Sequence, residues 1–129
     1  MVTTLDVNMS EKKMLLTFIV FHTGLTDGSD VYQTSILWEK KGGSAEISCN
    51  HTKGVSYSYM YWYRQLPGKT MELIVFTTTI TKDFGDFSKD KFSAEKTVAE
   101  RGTFTVKNLQ PEDKGWYFCA VSQHSDAGD

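Results

Sequence analysis

The chain has 129 residues, of which 40% are hydrophobic, 13% are aromatic and 23% are charged. This length accommodates one hydrophobic core, and the balance of apolar and charged residues excludes a disordered chain. Fourteen Lys and Arg against 16 Asp and Glu give a formal net charge of −2. Because no basic cluster is present to attract a phosphate backbone, no nucleic acid is expected as a partner.

The N-terminal region has the order of parts of a signal peptide. Lys12 and Lys13 precede the apolar run 14–21, and small or polar residues follow it. The run is shorter than the roughly 18 apolar residues that a membrane span requires. The alternative is an ordinary buried strand. We expect entry into the secretory pathway and cleavage between Gly24 and Ser29.

Further along the chain, short alternating runs are separated by turn residues, and no long amphipathic helix is predicted. The pair Pro67-Gly68 predicts a hairpin turn. This regular spacing of short strands predicts a β-sandwich or a β-barrel. The predicted strands are 31–38, 45–50, 60–65, 73–76, a short edge strand 77–81, 92–94, 104–109 and 115–121.

Only two cysteines occur, Cys49 and Cys119, and they are too far apart for a CxxC redox pair or a two-thiol zinc knuckle. One long-range disulfide is the natural interpretation, with two buried free thiols as the alternative in a reducing compartment. A disulfide between facing sheets would allow Trp62 to lie against the sulfurs in the core. Tyr117 suits a tyrosine corner, with its hydroxyl bonded to backbone within 109–113.

Three motifs coincide with this strand pattern: Trp62-Tyr63-Arg64-Gln65, Leu109-Gln110-Pro111-Glu112-Asp113 and Tyr117-Phe118-Cys119-Ala120-Val121. They resemble the framework of immunoglobulin-superfamily variable domains, and more narrowly a T-cell receptor β-chain variable segment of fish-like character. The resemblance implies an all-β, V-type immunoglobulin β-sandwich with Greek-key topology. The final strand is expected to be missing, since no Phe-Gly-x-Gly follows 115–121. The expected organisation is 1–28 as signal peptide and upstream residues, 29–122 as the variable-type domain, and 123–129 as a tail.

The same resemblance assigns roles to individual residues. It implies a core of Trp62, Tyr117 and Leu109 around the Cys49–Cys119 disulfide, and a salt bridge from Lys91 to Asp113. A pair of that kind on an exposed surface would contribute at most about 1 kcal/mol. The partner-chain interface is expected at Tyr63, Gln65, Leu73 and Phe118, with solvent-facing framework as the alternative. The antigen-contact loops are expected to contain Lys53, Ser56, Tyr57, Ser58 and Tyr59 in the first, and Thr77, Thr78, Thr79, Thr81 and Lys82 in the second.

The function that the resemblance implies is antigen recognition. The chain would pair with a second variable-domain chain, bind peptide on a histocompatibility (MHC) molecule, and signal at the cell surface through other subunits. The alternative is a germline-encoded innate receptor or adhesion module with the same fold. The ending His124-Ser125-Asp126 is a translation of the recombination heptamer in one frame, so the tail is interpreted as unrearranged read-through.

Asn50-His51-Thr52 is an N-glycosylation sequon, usable in the secretory pathway. The sequon at Asn8 lies ahead of the predicted leader and is not expected to matter. The three histidines have no spacing that would gather metal ligands or a nucleophile's base. No cofactor, metal or enzymatic activity is therefore expected.

Overall fold

The computed structural model describes residues 2–8 and 31–123, and they form two β-sheets. The six-stranded sheet has the order β3-β1-β10-β5-β6-β7, and the four-stranded sheet has the order β2-β4-β9-β8. A 3-10 turn at Pro111–Asp113 precedes the last strand. The strands are β1 (Val2–Asn8), β2 (Val31–Gln33), β3 (Ile36–Lys40), β4 (Ala45–His51), β5 (Tyr59–Gln65), β6 (Met71–Thr77), β7 (Lys82–Asp83), β8 (Phe92–Val98), β9 (Arg101–Val106) and β10 (Gly115–Ser122).

The core lies between the sheets because alternate residues of each strand point inward. In β4 the burial alternates strictly, with Ala45, Ile47 and Cys49 buried and the residues between them exposed. The Cys49–Cys119 disulfide joins β4 to β10 and therefore links the two sheets, as predicted. Trp62 lies opposite Cys119 in the pairing of β5 with β10 and stacks on Phe104 at a centroid distance of 5.3 Å.

The hairpin of β5 and β6 turns at Leu66 to Lys69, as predicted. The amide of Lys69 donates to the carbonyl oxygen of Leu66 at 3.0 Å, and Gly68 has a φ of 73°. Pro67 followed by a residue of positive φ is the arrangement of a type II turn, which favours glycine at that second central position. The turn fixes the register that brings Gln65 opposite Met71.

The predicted first strand, 31–38, is divided between the two sheets. Residues up to Gln33 form β2 and pair with β4, whereas residues from Ile36 form β3 and pair with β1. The amide of Thr34 still donates to Ser48, and the carbonyl oxygen of Ser35 accepts from Thr4. The backbone therefore changes sheets at Thr34-Ser35, where neither Gly nor Pro marks a break in the sequence.

The first strand lies outside the domain boundary expected from the sequence. Val2–Asn8 was assigned to residues upstream of the leader, yet it forms β1 between β3 and β10. The predicted leader run and its cleavage site lie outside the described residues, so cleavage stays a prediction. The position beside β10 at which a missing final strand was expected is filled by β1.

Candidate functional site

The outward face of β5, β6 and β10 is rich in aromatic and apolar side chains. Phe118 lies opposite Tyr63 across the β5/β10 pair, and Leu73 lies opposite Tyr63 across the β5/β6 pair. Gln65 follows at the end of β5, and its side-chain amide donates to the carbonyl oxygen of Lys69 at 3.2 Å. The four residues predicted for the partner-chain interface are thus brought together on one face, and Leu73 is 45% exposed.

Sequence reasoning left several residues out of this face. Trp116 lies opposite Gln65, and Met71 lies opposite Gln65 from the other side. Both are exposed, at 38% and 53%. Tyr61 stacks on Tyr63 with centroids 6.4 Å apart and lies 5.1 Å from Phe76. The alternation of each strand contains this information, because Trp116 and Phe118 are two positions apart and must share a face.

A β-bulge shapes the same face. The pairing of β5 with β6 shifts register between Trp62 and Tyr63, so that Trp62 lies opposite Val75 but Tyr63 lies opposite Leu73. A bulge bends the strand and increases its local twist. Leu73 is consequently turned outward, while Ile74 and Val75 are both buried. This explains the more continuously apolar pattern of β6 in the sequence.

The first predicted antigen-contact loop lies at the end of the sandwich where β10 finishes. Lys53 and Ser56 are exposed, and Tyr57 to Tyr59 are partly buried. The ammonium of Lys53 lies 5.3 Å from the centroid of the Tyr57 ring, a cation–π contact. The side chain of Gln123 donates to Ser56 Oγ at 3.5 Å, which places Gln123, the residue directly after β10, beside this loop.

The second predicted loop is a tight turn, and one of its residues is misassigned. Thr77 ends β6, is 1% exposed, and donates its hydroxyl to the carbonyl oxygen of Met60 at 2.9 Å. Its side chain is therefore not available for contact. The hydroxyls of Thr78 and Thr81 bond each other at 2.7 Å, and Ile80 is 89% exposed at the tip.

The remaining predicted residues of this turn are Thr79 and Lys82. Thr79 and Lys82 are exposed, and the Lys82 ammonium pairs with Glu95 at 2.9 Å. The predicted edge strand 77–81 is wrong, because the threonine hydroxyls close a turn and the short strand β7 begins at Lys82. Ile80 was overlooked because a lone apolar residue among threonines also suits an ordinary strand.

The two predicted loops lie at the same end of the sandwich. Thr77, where the second loop begins, lies opposite Met60, and Ser122 lies opposite Tyr59, where the first loop ends.

The opposite end of the sandwich carries the predicted ion pair. Lys91 Nζ lies 2.6 Å from Asp113 Oδ2, and the same oxygen accepts from the amide of Gln110 at 2.8 Å. The expectation of an exposed pair is corrected, since the Asp113 side chain is only 7% exposed. Lys91 also donates to the carbonyl oxygen of Asn108 at 3.1 Å. The pair therefore closes the loop that leads into β10.

Tyr117 connects this closed end to the core. Its hydroxyl donates to the carbonyl oxygen of Asp113 at 2.6 Å, within the stretch predicted for a tyrosine corner. Tyr117 and Leu109 are both 0% exposed. Burial, reinforced by the charge of Asp113, raises the pKa of the Tyr117 phenol well above its ordinary value, although Arg64 acts in the opposite direction.

Asn50 of the predicted sequon is exposed on the outer face of the four-stranded sheet. It lies opposite Tyr32 and Arg101 in the pairings of β4. The side chain therefore points away from the core and from the aromatic face of the other sheet. Residues 2–8 and 31–123 contain no group of three or more His, Cys, Asp or Glu side chains placed to hold a metal ion. Over the same ranges no helix has the length and apolar character needed to cross a bilayer.

Comparisons with known proteins agree with this architecture. The family model described as "Immunoglobulin V-set domain" matches residues 32–129. The chain is 37% identical to human "T cell receptor beta variable 7-2" over 84 residues, which cover 64% of this chain and 71% of the relative. It is 32% identical to the human "Immunoglobulin iota chain" over 123 residues, 91% of this chain and 83% of the relative.

A solved structure is similar as well. It is described as "Structural basis of T cell specificity and activation by the bacterial superantigen toxic shock syndrome toxin-1" and superposes with a TM-score of 0.70 at 29% identity. The alignment covers 76% of this chain and 85% of the other. Sequence and fold comparisons thus point to the same family.

Proposed function

Because the chain belongs to the immunoglobulin V-set family, a family of recognition modules and not of enzymes, we propose that it is the antigen-recognition variable domain of a T-cell receptor β-like chain. It pairs with a second variable-domain chain and binds peptide presented on an MHC molecule. At the plasma membrane it contributes to receptor signalling through subunits and segments outside the described residues.

The outward aromatic face of β5, β6 and β10 carries the pairing part of this proposal. Tyr63, Leu73 and Phe118 lie side by side there, and Trp116 and Met71 extend the apolar surface around Gln65. A contiguous exposed apolar face rimmed by polar groups marks an interaction site on a soluble domain. Aromatic and Met side chains are enriched in interfaces. The Gln65 amide, which donates to the carbonyl oxygen of Lys69, adds a polar group at the end of this face.

The loops at one end of the sandwich carry the antigen-binding part. Lys53, Ser56, Tyr57 and the exposed turn around Ile80 present tyrosine, hydroxyl and cationic side chains toward the same end. Tyrosine and serine supply contact area and adaptable hydrogen bonds at low entropic cost. The rigid sandwich below holds these loops in place, so that a ligand can be recognised without refolding of the domain.

The pairing proposal is tested by surface display. The chain is joined to a T-cell receptor β constant and transmembrane region and expressed in receptor-negative T cells, with and without a library of second chains. We expect surface display to require a second chain. Leu73→Asp should reduce display at least tenfold, because it places a charge in the interface centre.

The matched control is Glu46→Asp on the exposed outer face of the four-stranded sheet, which should leave display unchanged. Peptide–MHC binding is then measured with a reporter of T-cell activation. Display without any second chain, at a level insensitive to Leu73→Asp, would contradict the proposal and favour an innate receptor or adhesion module.

We also propose that Asn50 carries an N-linked glycan when the chain passes through the secretory pathway. The side chain is exposed, and Thr52 of the sequon is exposed beside it. Expression in mammalian cells should give a product whose mass falls by one glycan on amidase treatment. Asn50→Gln should remove that shift, whereas an unchanged shift in the variant would place the glycan elsewhere.

A further inference from the structure

The outer face of the four-stranded sheet contains an open groove of about 320 Å³ that crosses β4, β9 and β8. This volume lies at the lower end of the range of small-ligand sites, about 300–1,000 Å³. Six side chains that can form hydrogen bonds line the groove: Ser48, Asn50, Glu95, Thr97, Arg101 and Thr103. Such a lining suits a small polar ligand with several hydroxyl or amide groups.

A β-bulge in β8 shapes one wall of the groove. Glu95 lies opposite Thr103 and Val98 lies opposite Arg101, so that two residues of β8 oppose Gly102 alone. A bulge bends its strand and increases the local twist. The floor beneath the bend is the backbone of Gly102, which has no side chain to fill the groove.

Asn50 of the sequon lies at the edge of this groove. It is exposed, with Arg101 opposite it on β9 and Tyr32 opposite it on β2. Directly opposite residues of antiparallel strands have Cβ atoms about 4.5–5.5 Å apart. A sugar attached to Asn50 therefore begins within reach of the Arg101 side chain, while Tyr32, which is 49% exposed, borders the side away from the groove.

The groove has the donors and acceptors that an N-acetylated sugar needs. The guanidinium of Arg101 can donate to an acetamido oxygen, and the carboxylate of Glu95 can accept from a sugar hydroxyl. Glu95 is exposed on this face, and its Oε1 already pairs with the Lys82 ammonium at 2.9 Å. The hydroxyls of Ser48 and Thr103 can act as either donor or acceptor.

Attachment to Asn50 makes weak contacts in this groove sufficient. A ligand joined through a short flexible link binds as if its concentration were in the millimolar range. A free sugar would have to reach the same concentration in solution to fill the groove equally. The attached sugar is therefore favoured over a free one as the occupant.

We propose that this groove binds the first two N-acetylglucosamine residues of a glycan on Asn50. Arg101 donates to the acetamido oxygen of the first sugar, and Glu95 accepts from a hydroxyl group further along the glycan. The inference rests on the proposed glycosylation of Asn50 and is independent of the partner chain and the antigen. It gives the outer face of the four-stranded sheet a defined occupant, so that this face is covered by sugar.

Protection of the sugar–asparagine bond is the measurement that tests this inference. The glycosylated protein is produced in mammalian cells, and release of the glycan by amidase is followed by mass spectrometry under native conditions. We expect Arg101→Gln to speed the release about threefold or more, because it removes the donors that hold the first sugar. Lys114→Gln, the matched control, makes the same charge change at the opposite end of the sandwich and should leave the rate unchanged.

The same amidase reaction after unfolding provides a second control. All variants should then release the glycan at one rate, since no groove remains. Faster native release from Tyr32→Ser but not from Arg101→Gln would overturn the inference, because the sugar would then lie on the ring of Tyr32. Equal native rates in wild type and Arg101→Gln would also overturn it.

Stability gives an independent measurement. Binding to the folded groove alone should raise the urea midpoint of the glycosylated protein above that of Asn50→Gln. In the Arg101→Gln background this difference should fall by about half or more. A difference that Arg101→Gln does not alter would contradict the inference.

The two proposals about Asn50 fail in different ways. Absence of any glycan on Asn50 in the secreted protein would overturn the glycosylation and this inference together. A glycan that is present but equally accessible in wild type and Arg101→Gln would overturn this inference alone.

Discussion

Tyr117 contributes to stability through a single buried hydroxyl. Tyr117→Phe keeps the ring among Phe104 and its neighbours but leaves the carbonyl oxygen of Asp113 without its donor. A buried group deprived of its partner costs about 1–3 kcal/mol. We expect a loss of that size in the free energy of unfolding at pH 7, measured by urea denaturation. An unchanged midpoint would show that the carbonyl oxygen finds another donor.

The same variant makes a prediction about alkaline pH. The unfolded phenol ionises near its ordinary pKa of about 10, whereas the folded phenol, whose pKa is raised, keeps its proton. The unfolded state therefore binds fewer protons above about pH 10, and stability falls as pH rises. The advantage of the wild type over Tyr117→Phe should be complete below that pH and shrink above it.

Lys96 contributes to the pH dependence of stability at alkaline pH with the sign opposite to that of Tyr117. Burial lowers the pKa of Lys96, with Glu100 acting against that shift. A cation whose folded pKa is lowered gains relative stability as pH rises toward its unfolded pKa. Because Lys96 is present in both proteins, the difference between wild type and Tyr117→Phe isolates the phenol.

Lys91 and Asp113 form a pair whose two members differ in exposure. Lys91→Met leaves a carboxylate that is only 7% exposed without its cation, whereas Asp113→Asn keeps an acceptor for the Gln110 amide and leaves a more exposed ammonium. We expect Lys91→Met to cost about 2 kcal/mol and Asp113→Asn about 1 kcal/mol. The double variant should cost less than the sum, as measured in a double-mutant cycle. Strict additivity would mean that the two charges do not interact.

Within the strands, two glycines lie where another side chain would collide. A Cβ on Gly115 would be 2.8 Å from the carbonyl oxygen of Gln65, whereas a Cβ on Gly102 would collide with Met60 Sδ. Backbone of a paired strand cannot move aside, but a Met side chain can change its rotamer. Gly115→Ala should therefore lower the midpoint of thermal unfolding more than Gly102→Ala, with costs of about 1–3 kcal/mol.

The predicted collision between a side chain at position 102 and Met60 can be tested directly. Met60→Val shortens the side chain that the new methyl group would meet. Because Met60 is fully buried, this substitution costs stability on its own. The cost should be smaller in the Gly102→Ala background than in the wild type, and unchanged in the Gly115→Ala background. Equal effects in both backgrounds would rule out a steric cause at Gly102.

The strands differed in how far local sequence could predict them. Alternation and turn residues predicted β4, β5 and β10, because each of these strands lies in a single sheet over its whole length. The division of 31–38 into β2 and β3 did not, since Thr34-Ser35 has no distinctive turn chemistry. β1 was missed although Thr3, Leu5 and Val7 alternate, because its partners lie at Phe118 and Ile36 and no local signal reports such distant pairing.

The candidate site was predictable to a similar extent. Tyr63, Gln65, Leu73 and Phe118 were assigned through a family resemblance, and the register of β5 brings them together. Thr77 was placed in a loop because threonine suits both strand and turn, and only its pairing with Met60 shows that it is buried. Ile80 and Trp116 needed the fold, since exposure of an apolar side chain depends on what packs around it.

At the scale of the whole molecule, the Cys49–Cys119 disulfide reduces the conformational entropy of the unfolded chain. It joins residues 70 positions apart and crosses between the sheets. In the chain-entropy model, closing a loop of that length contributes about 4 kcal/mol. Replacing both cysteines with alanine should reduce the free energy of unfolding in urea by about that amount, measured against the oxidised wild type. A loss below about 1 kcal/mol would show that the unfolded chain is already compact.

The position of β1 also has a consequence for synthesis. Val2 pairs with Phe118, so β1 cannot complete its sheet until the distant strand β10 has been synthesised. Pairing over such a sequence distance is slow because the loop entropy is lost before the contacts form. Until β10 has emerged, the edge of β1 that faces β10 stays unpaired, and the six-stranded sheet cannot close.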